Sequence, residues 1–269
     1  MPGCAFLVFA RAPVAGQVKT RLFRADPAVA RAALGRTLSA EDAARLHAAF
    51  VEDVLRKGQR CGLNPRVLYV ADSGDSEILS RLAAAYGYST RVQRGAELGA
   101  RMAAAFDDQL ATPAEPDAPP GTGLRSDAAI LVGTDSPTLP IAYLQQAAQA
   151  LADGCDLVLG PACDGGYYLI GLRRPLPSLF PADMPWGTAE VLPRTLERLR
   201  GLAGQGLRAH LLPFFYDCDT PGDLRLLREH LALSSVGSAA TVAAVAADQA
   251  TQAEAPATQA VLDQLGLSG

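Results

Sequence analysis

Three stretches of the chain carry residue types and spacings suited to chemistry on a phosphate group. The first, Arg11-Ala-Pro-Val-Ala-Gly16-Gln-Val-Lys19-Thr-Arg21, places three cations within eleven residues, directly after an apolar run. Guanidinium and ammonium groups neutralise phosphate oxygens, and a glycine lets the backbone approach them closely. The loop is not a Walker A sequence, because Lys19 follows a valine and the glycine spacing is missing. A solvated loop that happens to contain arginine is the alternative; its position after a strand favours phosphate binding. The second stretch, Gly133-Thr134-Asp135-Ser136-Pro137, ends an apolar run on a carboxylate. In the third, Tyr216-Asp217-Cys218-Asp219-Thr220-Pro221, two acids stand two residues apart and point to the same side of an extended backbone. A hard divalent cation carried with a nucleotide diphosphate needs one or two such carboxylates, and phosphate oxygens complete its shell. Asp135 could instead be a turn or capping aspartate, and Asp219 could support the start of the following helix. An anionic ligand bridged to Asp135, Asp217 and Asp219 by Mg²⁺ or Mn²⁺ accounts for all three stretches together.

A fourth region suits an acceptor. In Gly160–Gly171, Asp164 precedes Gly165, Gly166 and Tyr167 on a turn where a small molecule could approach the backbone. Downstream, Met184-Pro-Trp186-Gly187-Thr188 sets the single tryptophan beside a helix start. Read functionally, these residues form an acceptor pocket with Asp164 as base or orienting carboxylate. Read structurally, they are a tight hairpin and a packed indole. His47, His210 and His230 show no metal-ligand spacing, and His47 and His230 are expected on helix surfaces. Neither a GxSxG elbow nor a GxGxxG fingerprint is present, so hydrolase and dinucleotide oxidoreductase chemistry lack support.

The elements that must position these residues alternate. Strand-length apolar runs lie at 5–10, 66–71, 89–93, 128–133, 156–160, 166–172 and 207–215, and helical spacing covers 39–57, 76–86, 98–110, 141–153, 188–202 and 221–231. Ser39 with Asp42 forms a capping-box pattern, and Thr220 precedes a proline at the first helical position. The alternation predicts an α/β fold: one domain over residues 1–233, with a mostly parallel sheet covered by helices on both faces. Residues 112–126, rich in proline, read as a surface insertion. Residues 234–269 read as an Ala-rich tail with a short helix at 258–265 and little material for a second core. The 269 residues are 49% hydrophobic and 19% charged, as a globular protein requires. A net charge of −4 provides no basic field for nucleic acid, and no apolar run reaches membrane-spanning length. Five scattered cysteines without a CxxC pair, and no signal-peptide pattern, predict a cytoplasmic protein.

In order, FARAPVAGQVKTRL, QRGAELGARMAAAF, ILVGTDSPTLP, GPACDGGYYLIGL, MPWGT and YDCDTPGDL resemble the radical-SAM/selenodomain-associated transferases over roughly residues 5–231. That resemblance implies a nucleotide-diphospho-sugar transferase (GT-A-like) fold and glycosyltransferase-like activity. The layout is more distantly similar to the guanylyltransferases of molybdenum cofactor and phospholactate. It implies that Arg11, Gly16, Lys19 and Arg21 cradle nucleotide phosphates and that Leu98, Gly99 and Arg101 lie near the base. It also implies that Asp135 binds the metal, with Asp217 or Asp219 as second ligand. The insertion and the cation-free tail stand outside the shared pattern. The leading expectation is a metal-dependent transferase with a nucleotide-sugar donor and a small-molecule acceptor, in which Lys19 and Asp164 are the catalytic candidates. A nucleotidyltransferase that releases pyrophosphate is the rival, and a nucleotide-binding protein without turnover is the third reading.

Overall fold

In this computed structural model the described residues are 3–71, 76–110, 126–240 and 254–267. Seven strands form one sheet: β1 (Cys4–Ala10), β2 (Arg66–Val70), β3 (Ser89–Val92), β4 (Ala128–Val132), β5 (Leu157–Pro161), β6 (Tyr167–Leu172) and β7 (Ala209–Leu211). Their order is β3-β2-β1-β4-β6-β5-β7. All pairings are parallel except those of β6, which runs antiparallel to both β4 and β5. The link from β5 to β6 is far too short for a parallel crossover, so the chain must turn back as a hairpin. The expected mostly parallel α/β sheet flanked by helices is therefore present, with one reversed strand.

Residues of β1 alternate between two packed faces, and the whole strand is buried. Ala5, Leu7 and Phe9 join a core with Met102, Ala105 and Phe106 of α5 (Leu98–Gln109) and with Leu192 and Leu199 of α7 (Val191–Ala203). Phe6 points the other way, edge-on to Tyr88 with ring centres 6.5 Å apart. On β6, Gly171 brings α6 (Ile141–Ala152) close, since a Cβ there would lie 3.0 Å from Leu151. Helix α4 (Glu77–Tyr86) starts on the Ser76 hydroxyl, which accepts from Leu79 N, and ends at Gly87 with φ +70°.

The chain divides into two compact units. The first, within 1–11, 55–133 and 141–216, contains the sheet and α4 to α7. The second, within 12–54, 134–140 and 217–269, contains α1 (Thr20–Phe23), α2 (Pro27–Leu34), α3 (Ala40–Arg60) up to Val54, α8 (Pro221–Ala240) and α9 (Pro256–Gln264). The pattern at α2 is complete: Asp26 accepts from Ala28 N, Pro27 opens the helix and Gly35 closes it. Ser39 and Asp42 exchange side-chain-to-backbone bonds of 3.1 Å each, the reciprocal cap expected at α3.

Three expectations need correction or restriction. Strand β7 covers only 209–211 of the expected 207–215, because Pro213 has no N–H to donate and β5 is irregular at Gly160/Pro161; pairing resumes as a bridge between Ala162 and Phe215. His47 is buried on the face of α3 that also carries Phe50, while His230 is partly buried 3.1 Å from Glu254. The insertion at 112–126 lies outside the described residues apart from Ser126, as does 241–253 of the tail.

The end of the tail is packed rather than free. Asp53 of α3, 1% exposed, accepts from Ala257 N (3.0 Å), Thr258 N (2.8 Å) and the Thr258 hydroxyl (2.7 Å), and thereby caps α9, whose Leu262 is buried. All five cysteines are free, and among the described residues no helix is long and apolar enough to cross a membrane. Replacing Asp53 by alanine strands two buried donors on Thr258 and a part-buried one on Ala257, and should lower stability by ~1–3 kcal/mol. A lower urea midpoint at unchanged m-value is the expected reading, and an unchanged midpoint would show that the α9 cap contributes nothing.

Candidate functional site

Within the second unit, Lys19 is the meeting point of three loop segments. Its side chain is 3% exposed, and its ammonium lies 2.5 Å from Asp135 Oδ1 and 3.0 Å from Asp219 Oδ1, and donates to the Cys218 carbonyl at 2.7 Å. Those three acceptors match the three N–H bonds of an ammonium. The Phe50 ring of α3 supplies a face 5.1 Å from the charge. Lys19 is also the N-cap of α1 and adopts φ +48°, ψ +40°, a left-handed backbone that costs a non-glycine residue about 1 kcal/mol. Burial opposes the charged form, but Asp135 and Asp219 more than offset it and hold Lys19 above the usual lysine range.

The two loops that supply the carboxylates are tied by their backbones, with Cys218 N donating to the Asp135 carbonyl at 2.8 Å. Asp217 is bound by the Ser136 hydroxyl, which leaves Asp135 and Asp219 as the pair on Lys19. The start of α8 is capped by Thr220 and Asp223, not by Asp219. Asp223 accepts from Asp219 N, Thr220 N and the Thr220 hydroxyl, and its own N–H bonds back to Thr220. Although both sit on Lys19, the side chains of Asp135 and Asp219 stay 44% and 34% exposed. Arg21, 68% exposed, stands 3.8 Å from Asp219 Oδ2. Cys218 is fully buried, and burial pushes its thiol well above the ordinary range. Among the described residues no group of three or more His, Cys, Asp or Glu could hold a metal ion by itself.

In the first unit a second group of expected residues converges. The Asp164 carboxylate accepts from Gly166 N at 2.9 Å and closes the β5–β6 turn. Gly165, at φ +91°, brings this turn onto the Trp186–Glu190 segment: a Cβ there would stand 2.5 Å from the Ala189 backbone, and Leu192 N donates to the Gly165 carbonyl. Trp186 lies on Gly99 at the start of α5, where a Cβ would meet the indole at 2.5 Å. Tyr167 stands edge-on to Trp186 (6.5 Å, 87°), and its hydroxyl reaches Met102 Sδ at 3.9 Å. Burial raises the Tyr167 phenol. Arg101 Nε donates to the Gly95 carbonyl. The residues expected near a base and those expected at an acceptor thus touch through Gly99, Trp186 and Tyr167.

The remaining expected residues are placed more loosely. Arg11 follows β1 in the first unit and is exposed, Gly16 has φ +82° with open space around it, and Leu98 is 43% exposed. Gly187 adopts φ +79°, and the Thr188 hydroxyl donates to the Pro185 carbonyl. Sequence reasoning missed Phe50, Ser136, the Cys218 carbonyl and Asp223. Of these only Asp223 carried a signal, as the acid of a Thr-x-x-Asp cap.

Over residues 54–188 the chain matches the family described as "Uncharacterized protein conserved in bacteria (DUF2064)", and it belongs to that family. Its structure is similar to that of a "putative nucleotide-diphospho-sugar transferase" from Desulfovibrio desulfuricans G20, with a TM-score of 0.65, 27% identity and 98% of each chain covered. A cytidylyltransferase from Leptospira borgpetersenii serovar Hardjo-bovis (strain JB197) shares the fold at a TM-score of 0.50 and 10% identity, over 99% of this chain and 97% of that one. No curated protein matches.

Two variants check this geometry. Lys19→Met leaves two carboxylates facing each other without their cation and should cost ~1–3 kcal/mol in chemical denaturation. Because the folded lysine titrates above the unfolded one, that difference should be constant over roughly pH 6–9 and fade only as pH rises through the folded value. Gly99→Ala favours the helix by ~1 kcal/mol on propensity alone. It should nevertheless lower stability and red-shift the emission of the single tryptophan, and an unchanged spectrum would refute the Trp186 seat.

Proposed function

We propose that the protein is a transferase that takes a nucleotide-sugar donor and passes the sugar to a hydroxyl of a small acceptor. The observation that carries this reading is the convergence of Asp135 and Asp219 on the buried ammonium of Lys19, with both carboxylates still open to solvent. The donor set fits a hard divalent cation such as Mg²⁺ or Mn²⁺ that arrives with a diphosphate. Both carboxylates are partly exposed beside Lys19, and phosphate and water oxygens would complete the shell. Two carboxylates do not make a site that holds the ion alone. A cation bound there supplies charge neutralisation to the departing nucleoside diphosphate.

The protein's own residues then have separate tasks. Lys19 fixes the spacing of the two carboxylates, and Arg21 offers an exposed guanidinium to phosphate oxygens. Asp164 has one oxygen committed to Gly166 N and can orient or take a proton from an acceptor hydroxyl with the other. Gly99, Trp186 and Tyr167 form an apolar floor. The motif resemblance to radical-SAM/selenodomain-associated transferases and the likeness to the Desulfovibrio protein support glycosyl rather than nucleotidyl transfer.

Incubation with Mn²⁺ and a panel of uridine and guanosine diphospho-sugars should release free nucleoside diphosphate, slowly to water and faster with an acceptor. Asp135→Asn should reduce that release at least 100-fold without unfolding the protein, and Asp164→Asn should reduce acceptor-dependent turnover by ~10²-fold at unchanged donor affinity. Acceptor-dependent pyrophosphate from nucleoside triphosphates would replace the reading with nucleotidyl transfer. Nucleotide binding that Asp135→Asn leaves unaltered, with no product, would leave a binding protein.

A further inference from the structure

Ser136 links the two acid-bearing loops by its side chain. It follows Asp135 directly, and its hydroxyl donates to the carboxylate of Asp217, two residues before Asp219. All of these residues belong to the second unit, together with Lys19. Ser136 is buried, as are Thr134 and Thr138 on either side of it. Pro137 biases the Ser136 backbone to extended conformations, and the Ser136 carbonyl accepts from Leu139 N at 3.0 Å. The hydroxyl is therefore presented from a fixed turn to the half-buried Asp217.

The charge around Lys19 gives this bond a consequence. Asp135 and Asp219 are the pair on the ammonium, which cancels one of their two negative charges, and Arg21 stands 3.8 Å from Asp219. Two carboxylates so neutralised attract a divalent cation weakly, because affinity for hard cations rises with the number of charged oxygen ligands. A third carboxylate is close in the chain. Cys218 is turned inward and fully buried, so Asp217 and Asp219 leave the segment on the same side. Asp223, the other acid nearby, is committed to the cap of α8. Asp217 is the one that could join the pair, and the Ser136 hydroxyl turns it elsewhere.

We infer that Ser136 is a positioning residue that withholds Asp217 from the cation, so that two carboxylates and not three meet the ion. The inference rests on the transferase reading for the place of the ion, at Asp135 and Asp219, and goes beyond it in explaining why the ion is not a permanent resident. Three carboxylates would take up the metal by themselves. Two, beside a resident ammonium, leave most of the shell to be filled by whatever anion arrives with it.

Electron paramagnetic resonance of free Mn²⁺ measures uptake by the full chain without nucleotide, after removal of bound ions by chelator. Ser136→Ala should bind Mn²⁺ about tenfold more tightly than the wild type, as a third carboxylate enters the set. Adding Asp217→Asn to Ser136→Ala should return the affinity to within about twofold of the wild type, which assigns the gain to Asp217. A serine that served only the packing of its turn could lower the unfolding temperature when truncated, but its loss would not raise metal affinity. Unchanged affinity in Ser136→Ala, or a gain that survives Asp217→Asn, overturns the proposal. So does Mn²⁺ binding by the wild type that Asp217→Asn alone abolishes, since Asp217 would then be a ligand already. A gain that needs Asp217, in a protein that turns over no nucleotide sugar, keeps the role of Ser136 and discards the transferase reading. Turnover of a nucleotide sugar without that gain does the reverse.

Discussion

An ammonium taken out of water loses several kcal/mol of hydration unless charged and polar partners replace it. Lys19 is in that position, and its three acceptors come from two stretches distant in sequence: Asp135 after β4, and the Cys218 carbonyl and Asp219 before α8. None of the three can be withdrawn without stranding the charge. The Cys218 N–H to Asp135 carbonyl bond closes the same circle through the backbone. The left-handed conformation of Lys19 is sustained by this network, whose bonds to the ammonium offset the backbone strain.

The same arrangement explains why the two carboxylates can face one direction. Like charges at this separation repel, and a permanent cation between them lets both remain ionised and partly exposed. The cluster is therefore organised before any substrate arrives, and ordering the loops is not charged against binding. Arg21 contributes cationic character of another kind: it is exposed at the rim of the cluster, 3.8 Å from Asp219, while Lys19 is buried and fully engaged. Lysine and arginine divide the work as their shapes suggest, a compact charge inside and planar forks outside.

Much of the frame could be read from the residues. The alternation of strands and helices, the Ser39–Asp42 cap and the candidate status of Lys19, Asp135, Asp217 and Asp219 at strand ends were legible in pattern and spacing, whereas the choice of Asp219 over Asp217 and the seating of Lys19 between two carboxylates were not. What could not be read arises from packing. Nothing in the neighbourhood of Phe50 announces that its ring lies under a lysine thirty-one residues earlier, and a backbone carbonyl such as that of Cys218 has no sequence signature. The same holds for Asp53, which looks like one more acid on a helix until Ala257 and Thr258 return to it. Nothing in the sequence around His47 signals its burial either. The shortness of β7, by contrast, was written in Pro213, and the start of α2 in Asp26-Pro27, so those features were legible and simply outweighed by the longer apolar runs around them.

The reversed strand has a consequence for how the molecule assembles. Every other neighbouring pair in the sheet is separated in sequence by at least one helix, so its contacts form only after a long loop has been closed. Strands β5 and β6 are joined directly, and the entropy of bringing them together is the smallest in the sheet. The hairpin can exist before its neighbours do, offering β4 and β7 a template on either side. The bend at its tip, Ala162–Gly166, is closed by bonds that lie wholly within it, so the carboxylate of Asp164 takes its orientation from the turn itself and not from a distant part of the sheet.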